Sequence, residues 1–387
     1  MRRTRSGTSA RLGTALLAAA VLASACGGGG DDPAGDGGAG APCALPSGPV
    51  TEANNCKYPG QEITVSATPG GLLDGYKAAF GPLFEKTTGA RINWVAQGPD
   101  VSVTKILAAA GGTPPVDVVL DSFPPVLTSA VENGAFQKID PASVPNYAEV
   151  PPNAFAIEGY GAATWFYRIG QCYDAKKAAA LPGGAPKTLD PWFDSDLGVG
   201  FPTPENTRWD LTVGTLAKNF GVGFDEPQKA VDRIRQIRGL KLYAASSESD
   251  QMLLNGDVGT VVTSDGRCAA MKENGADVAF GSLGLSIDGK SYDYIQSLTG
   301  PQIATGSKKV ELAKALINTL FTAEALKPLI TSLIYDPTQP SVQQIVKNDP
   351  KLAPYAWTDF DVLYANTFVD LERNRAAWVD AWRRTFQ

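Results

Sequence analysis

Short apolar strands and amphipathic helices alternate along the chain from Gln61 onward. Residues 63–66 predict a strand, and residues 72–87 carry apolar side chains at helical spacing until Gly89 ends the helix. Residues 90–95 predict a second strand. Residues 116–120 form an apolar run with one acid, typical of a strand buried on both faces. Because strands that alternate with helices build βαβ units, we predict an α/β fold with a mostly parallel sheet.

Two extended segments interrupt this alternation. Residues 158–168 are rich in glycine and aromatic side chains, and residues 292–298 are extended again. Further predicted strands and helices lie between them and after them. We therefore predict two lobes joined by two hinge crossings, with a cleft at the carboxyl ends of the strands. The predicted boundaries are residues 61–163 and 290–387 for lobe one, and residues 164–289 for lobe two.

The N-terminal residues have the features of an export signal. Four arginines precede an apolar run, Leu12–Leu22, that is too short to span a bilayer core. The sequence Ala23-Ser-Ala-Cys26 then resembles a bacterial lipobox, with Ala23 where most lipoboxes carry leucine. We predict a signal peptide over residues 1–25, a lipidated Cys26 followed by a flexible linker to residue 60, and a lipid-anchored chain on the extracytoplasmic face of the cell membrane. An ordinary cleaved secretory signal is the alternative.

The other four cysteines form an even set, as expected in an oxidising compartment. Four cysteines allow three pairings. We favour Cys43–Cys56, which closes the N-terminal segment onto itself, and Cys172–Cys268, a long-range link within one lobe. A metal site is disfavoured because no pair has C-x-x-C spacing and the chain contains no histidine.

Charge and composition exclude several classes of function. Removal of the signal peptide leaves 30 basic and 40 acidic residues, which argues against a nucleic-acid partner. The absence of histidine excludes a Ser-His-Asp triad, a Cys-His protease and an H-E-x-x-H zinc site. Hydrolysis by a carboxylate pair stays open in principle. We predict no cofactor and no metal.

Residues 284–291, Gly-Leu-Ser-Ile-Asp-Gly-Lys-Ser, match the P-loop pattern. A P-loop runs from a strand into a helix, whereas the residues that follow here predict a strand. Asp288-Gly289 between two extended runs is typical of a hairpin turn. We therefore interpret this segment as a hairpin.

The layout over residues 61–387 resembles the extracellular solute-binding proteins of ABC importers, with the type 2 periplasmic-binding fold. Residues 63–66, residues 116–122 (Val-Asp-Val-Val-Leu-Asp-Ser) and residues 254–259 (Leu-Asn-Gly-Asp-Val-Gly) carry the resemblance. Residues 334–338 (Ile-Tyr-Asp-Pro-Thr) are similar to a loop of the polyamine-binding branch. The resemblance implies a monomeric receptor, not an enzyme, that delivers a solute to a permease and its ATPase.

Candidate ligand residues lie in the loops that face the predicted cleft. Asp121, Glu205 and Asp293 would neutralise cationic groups of the solute, and Arg267 an anionic one. Arg208 is a further candidate whose alternative is a pair with Asp210. The predicted set is Thr68, Asp121, Ser122, Tyr160, Trp165, Glu205, Trp209, Asp265, Arg267, Tyr292, Asp293 and Tyr335.

Glu205, Asp293 and Tyr335 stand where polyamine binders place their amine-binding acids and a tyrosine, whereas Arg267 departs from that pattern. The expected solute is accordingly small and amine-bearing, either polyamine-like or zwitterionic. Two alternatives stay open: a secreted glycan hydrolase that uses two carboxylates, and a ferric-iron binder of the same fold.

Overall fold

The computed structural model describes residues 43–353 and 369–387. The predicted signal peptide and Cys26 lie outside these residues. The strands are β1 Glu62–Ala67, β2 Arg91–Ala96, β3 Val118–Ser122, β4 Trp165–Asp174, β5 Val199–Pro202, β6 Lys241–Tyr243, β7 Thr260–Ser264, β8 Val278–Gly281, β9 Leu285–Ile287, β10 Lys290–Tyr292, β11 Ile295–Ile303 and β12 Asp336–Pro337.

Helices follow most of these strands. Four of the helices have proline as their first residue, where its missing N–H is not needed. The helices are α1 Gly71–Gly75, α2 Gly81–Thr88, α3 Pro99–Ala108, α4 Pro124–Glu132, α5 Ala175–Ala179, α6 Leu189–Asp194, α7 Trp209–Asn219, α8 Pro227–Arg235, α9 Ser246–Leu254, α10 Asp265–Glu273, α11 Val310–Leu320, α12 Ala323–Leu333, α13 Pro340–Asn348, α14 Val369–Arg373 and α15 Arg375–Phe386. A π-helical turn, Tyr76–Phe80, joins α1 to α2, and short 3-10 turns occupy Pro141–Ser143, Pro145–Glu149 and Pro152–Ala154.

One sheet runs through the described part of the chain, in the order β2-β1-β3-β11-β4-β7-β5-β6. At one end β1 pairs in parallel with β2 and β3, and at the other β5 pairs in parallel with β6 and β7. The two parallel halves are joined by β4 and β11, which run antiparallel to each other and to their neighbours. The predicted α/β fold is thereby confirmed, but the sheet is mixed rather than mostly parallel, because β4 and β11 pair antiparallel with all their neighbours.

The two long strands β4 and β11 correspond to the predicted crossings. The first begins at Trp165, because residues 158–164 form turns and irregular backbone rather than strand. Strand β11 pairs with β3 of one half of the sheet, β4 pairs with β7 of the other half, and β4 and β11 pair with each other. The lobe boundaries within this sheet stay a prediction.

The segment that matches the P-loop pattern is a β-hairpin. Strands β9 and β10 pair antiparallel, and Asp288 and Gly289 both have positive φ values of 51° and 77°. Two consecutive left-handed residues are the signature of a tight hairpin turn. The segment therefore has no helix whose N-terminus could bind a phosphate.

The last helix packs on elements around β5. Trp382 lies 5.9 Å from the ring of Phe201 and 5.6 Å from that of Trp209, and all three side chains are fully buried. Trp378 Nε1 donates to the carbonyl of Phe224 at 2.9 Å. These contacts hold the start of α7, which carries part of the site described below.

The structure contains both of the favoured disulfides, Cys43–Cys56 and Cys172–Cys268. The second joins β4 to α10, across a sequence separation of 96 residues. It thereby fixes the helix that follows β7 to the crossing strand. Among the described residues, no helix is long and apolar enough to span a membrane.

Removal of the Cys172–Cys268 disulfide is expected to destabilise the chain substantially. Loss of a native disulfide costs about 2–5 kcal/mol, because the unfolded chain regains the entropy of a long loop. Urea unfolding of a Cys172→Ser, Cys268→Ser variant measures this loss. The matched variant without Cys43–Cys56, which spans only 13 residues, should lose less. Equal stability of the first variant and the parent chain would contradict the expectation.

Candidate functional site

A buried carboxylate lies at the carboxyl end of β3. Asp121 Oδ2 accepts the backbone N–H of Thr68 at 2.6 Å, and Oδ1 accepts the hydroxyl of Tyr76 at 3.0 Å. Burial raises the pKa of Asp121 to about 6, although both hydrogen bonds oppose the shift. Burial and the nearby Asp121 carboxylate raise the pKa of Tyr76 as well. The end of β3 therefore carries a carboxylate that is ionised at neutral pH. Its hydrogen-bond donors within the protein are both neutral.

A row of aromatic rings extends from this carboxylate. Tyr76 stacks on Trp94 at 6.3 Å and lies 5.5 Å from Trp165. The ring of Tyr335 stacks on Trp165 at 6.3 Å and on Tyr167 at 5.3 Å. Two of these rings, Trp165 and Tyr335, were predicted as ligand residues. The row provides an apolar wall next to Asp121.

The ends of β5, β6 and β7 meet at Arg208. Its Nη1 donates to Ser246 Oγ at 2.5 Å and its Nη2 to Ser264 Oγ at 3.5 Å. Ser246 begins α9 after β6, and Ser264 is the last residue of β7. Arg208 Nε has no hydrogen-bond partner although the side chain is only 8% exposed. A guanidinium whose only partners are hydroxyl groups can still donate to a carboxylate and form an ion pair with it.

Tyr335 lies near both charged residues of the site, Asp121 and Arg208. Burial raises the pKa of Tyr335 to about 12, and the positive charge of Arg208 opposes that shift. Tyr335 in turn helps to raise the pKa of Tyr76, whose hydroxyl binds Asp121. These electrostatic effects act over short distances, so Asp121, Tyr76, Tyr335 and Arg208 lie in one region.

The buried charges of the described residues divide into two groups. Six charged side chains are buried: Asp117, Asp121, Arg208, Asp210, Asp265 and Asp336. Lys309 pairs with Asp117, Arg375 with Asp210, and Arg168 with Asp265, while Asp336 also interacts with Arg168. Within residues 43–353 and 369–387, Asp121 and Arg208 are the two that form no ion pair.

Other predicted residues already have partners within the protein. Arg267, the predicted anion-binding residue, forms a two-pronged pair with Asp250. Asp265 binds Arg168 Nε at 2.8 Å. The exposed Glu205 accepts the hydroxyl of Thr203 at 2.5 Å, which lowers its pKa. Their ligand roles stay predictions, but these charges already have partners and do not require a solute to compensate them.

The remaining predicted residues are spread more widely. Trp209 packs on Trp382, and its Nε1 has no hydrogen-bond partner. Ser122, next to Asp121, is buried with an unpaired hydroxyl. Tyr160 packs on a separate apolar cluster. Tyr292 ends the β9–β10 hairpin, and the exposed Asp293 accepts the hydroxyl of Ser282 at 2.8 Å. The hairpin residues are therefore not joined to Asp121 or Arg208 by any described contact.

Tyr76 and Tyr167 contribute to the site but were not in the predicted set. Arg208 was a further candidate, and its alternative, a pair with Asp210, is wrong because Arg375 binds Asp210. Tyr76 lies in a segment that looked like ordinary amphipathic helix, and Tyr167 in a crossing strand. Buried charge without a partner is the signal that identifies Arg208, and it becomes visible only in three dimensions.

Two cavities have linings that do not include Asp121, Tyr76, Tyr335 or Arg208. One of about 450 Å³ is lined by residues 181–187 and neighbouring residues up to Asp196, and contains none of the predicted ligand residues. Another of about 290 Å³ lies between α10 and β8, and its lining includes the predicted ligand residue Asp265 together with Arg168 and Tyr294. Among the residues described, no group of three or more cysteine or acidic side chains is placed to hold a metal ion.

Comparison with known proteins gives a consistent result. A family model described as bacterial extracellular solute-binding protein matches residues 82–354. The gamma-aminobutyric acid-binding protein of Pseudomonas aeruginosa is 24% identical over 234 residues, which are 57% of this chain. The match covers 63% of that curated relative's length.

Solved structures share the fold. A protein described as an extracellular solute-binding protein from Bordetella parapertussis superposes with a TM-score of 0.69, at 21% identity, over 85% of this chain and 99% of its own. Iron-bound HitA from Pseudomonas aeruginosa superposes with a TM-score of 0.67, at 16% identity, over 84% of this chain and all of its own. With the family model matching most of its length, the chain belongs to the bacterial extracellular solute-binding proteins.

Proposed function

We propose that this chain is the receptor of an ABC importer and captures a small zwitterionic solute, one that carries both an amine and a carboxylate. Cys26 would carry the lipid that tethers the receptor to the outer face of the cell membrane. The two lobes would close on the solute and present it unchanged to the permease, so that the chain performs no chemistry on it.

The observation that supports this proposal is the pair of uncompensated buried charges. Transfer of an ion from water into a protein interior is costly unless an opposite charge and hydrogen bonds replace the lost water. The other four buried charges have such partners. Asp121 would obtain its partner from the ammonium group of the solute, and Arg208 from the carboxylate.

The aromatic wall suits the middle of such a solute. Trp165 and Tyr335 stack on each other at 6.3 Å in the region that contains both charges, and the aliphatic chain of a solute would pack on such apolar surfaces without losing hydrogen bonds. An ammonium beside a ring also gains cation–π attraction. The gamma-aminobutyric acid-binding relative has a ligand of this class by name, which supports the same assignment.

The polyamine alternative fits these residues less well. A solute with two amines would place one cation near Arg208, and like charges in a buried site repel strongly. The guanidinium would also be left without an anion. We therefore favour the zwitterionic class within the amine-bearing solutes predicted from the sequence.

Calorimetric titration of the soluble chain tests the proposal with three probes of similar length. 4-Aminobutyrate carries both charges, whereas butylamine and butyrate each lack one. We expect saturable binding of the zwitterion and much weaker binding of the other two, because each leaves one buried charge uncompensated. Tight binding of a diamine, with no binding of any amino acid in a wider panel, would contradict the proposal.

A further inference from the structure

Gly266 occupies the first turn of α10 without a conformational reason to be glycine. Its φ lies outside the left-handed region, so any residue could adopt this backbone. Helix propensity would favour alanine here. The reason must therefore lie in the surroundings of this residue.

A single loop fills the space where a side chain at residue 266 would lie. A Cβ atom there would be 2.6 Å from the carbonyl oxygen of Leu333, 3.2 Å from that of Ile334 and 3.1 Å from Cε1 of Tyr335. Two of these three atoms belong to the backbone, so rotation of a side chain cannot relieve the clash. The α10 N-terminus and this loop touch because residue 266 has no side chain.

The loop is held firmly on both sides. Ile334 is left-handed, with φ 54° and ψ 51°, a strained conformation for a β-branched residue. Its N–H bonds the carbonyl of Ile330 at 2.7 Å, which ties it to α12. On the other side Thr338 N bonds the carbonyl of Thr164 at 3.1 Å. The loop cannot move aside cheaply, and it carries Tyr335 into the proposed solute site.

This contact lies close to the crossing strand. Ser264, two residues before Gly266, pairs with Ile169 of β4, and Asp336 pairs with Phe166 of the same strand. The two attachment points are three residues apart, or about 10 Å along an extended strand. If the lobes rotate about an axis near β4, the displacement is small at this contact and larger at the mouth of the cleft.

We propose that the contact between Gly266 and Leu333–Tyr335 is the stop that sets how far the two lobes close, and that glycine at 266 permits the fully closed state. This inference rests on the proposed receptor function, in which the lobes close on a solute. A methyl group at this position would wedge α10 away from the loop and enlarge the separation at the mouth. The solute would then lose simultaneous contact with Asp121 and Arg208.

The test measures lobe separation directly. Spin labels at Val101→Cys on α3 and Leu254→Cys on α9, both exposed positions, report a distance in a chain with Cys26→Ser. Gly266→Ala should shift the distance distribution toward longer values, both without solute and with excess 4-aminobutyrate. The dissociation constant of 4-aminobutyrate from this variant should be roughly tenfold higher than from the parent chain, a typical size for conformational coupling. Lys272→Ala, on the exposed side of the same helix, should leave both quantities unchanged.

A second variant makes the loop at Ile334 more flexible. Adding Ile334→Gly to Gly266→Ala removes the stiffness of the loop and should recover part of the lost closure. If the Gly266→Ala distances coincide with those of the parent chain under both conditions, the stop is wrong. If the parent chain binds no amino acid, the proposed function is wrong, while the distances of the solute-free chains still decide on the stop.

Discussion

Arg208→Met should remove most of the affinity for the zwitterionic solute. Truncation of one partner in a buried, hydrogen-bonded charge pair costs about 2–5 kcal/mol, or roughly 30- to 4,000-fold in the dissociation constant. The loss arises because the carboxylate of the solute would enter the site without a counter-charge. Titration calorimetry with 4-aminobutyrate, or competition at high protein concentration, measures the change.

The stability of the solute-free variant provides the decisive comparison. Arg208 is buried with two hydroxyl partners and no carboxylate in the described chain, so its replacement by an apolar side chain removes an uncompensated charge. Arg208→Met should therefore unfold at the same temperature as the parent chain or above it. A purely structural arginine would give the opposite result, with a lower unfolding temperature and little specific effect on the solute.

Arg267→Met is the matched control. The sequence suggested Arg267 as the anion-binding residue, but the structure pairs it with Asp250. Its removal should cost less affinity than removal of Arg208. If Arg267→Met abolishes binding while Arg208→Met retains it, the site has been assigned to the wrong arginine.

The alternation of apolar strands and amphipathic helices was enough to predict the fold. Residues 63–66 and 90–95 became β1 and β2 almost without change, since buried strands have a strong local pattern. The three-residue β6 and the polar helix α9 were missed. Ser-Ser-Glu-Ser-Asp at the start of α9 has no apolar face, and the helix depends on packing beside β7 and on Glu248, whose carboxylate accepts the N–H groups of Ala244 and Ala245.

Charge partners were harder to predict than the fold. Arg208 and Asp210 are two residues apart, and side chains with that spacing on a helix do not face each other. Asp210 instead binds Arg375, 165 residues further along the chain. A sequence lists its charges but does not show which of them tertiary contacts neutralise. Asp121 and Arg208 were both candidates from the sequence, but only the folded chain shows that neither forms an ion pair within the described residues.

Solute affinity should fall as the pH falls through about 6. Burial raises the pKa of Asp121 to about 6 in the solute-free chain, and the ammonium of the solute binds the ionised carboxylate. Protonation of Asp121 competes with binding, so the dissociation constant should rise about tenfold between pH 7 and pH 5. Titrations of 4-aminobutyrate across this range measure the effect.

The same shift has the opposite sign for the stability of the solute-free chain. A carboxyl whose folded pKa is raised binds its proton more tightly in the folded than in the unfolded state, so its contribution to stability is lost as the pH rises from about 4 to about 6. Asp121 thus favours folding in mild acid, whereas it favours solute binding at neutral pH. A solute present in excess should therefore stabilise the chain more at pH 7 than at pH 5.

Asp121→Asn separates this residue from other groups that titrate over the same range. Glu372, whose pKa burial and the charge of Asp210 raise to about 7, lies on α14 and would remain in the variant. The asparagine keeps the size and an acceptor for Thr68 N but carries no charge. We expect weaker binding with a flat pH profile. If affinity in the variant falls with acid as steeply as in the parent chain, the pH dependence belongs to another group and Asp121 does not bind the ammonium.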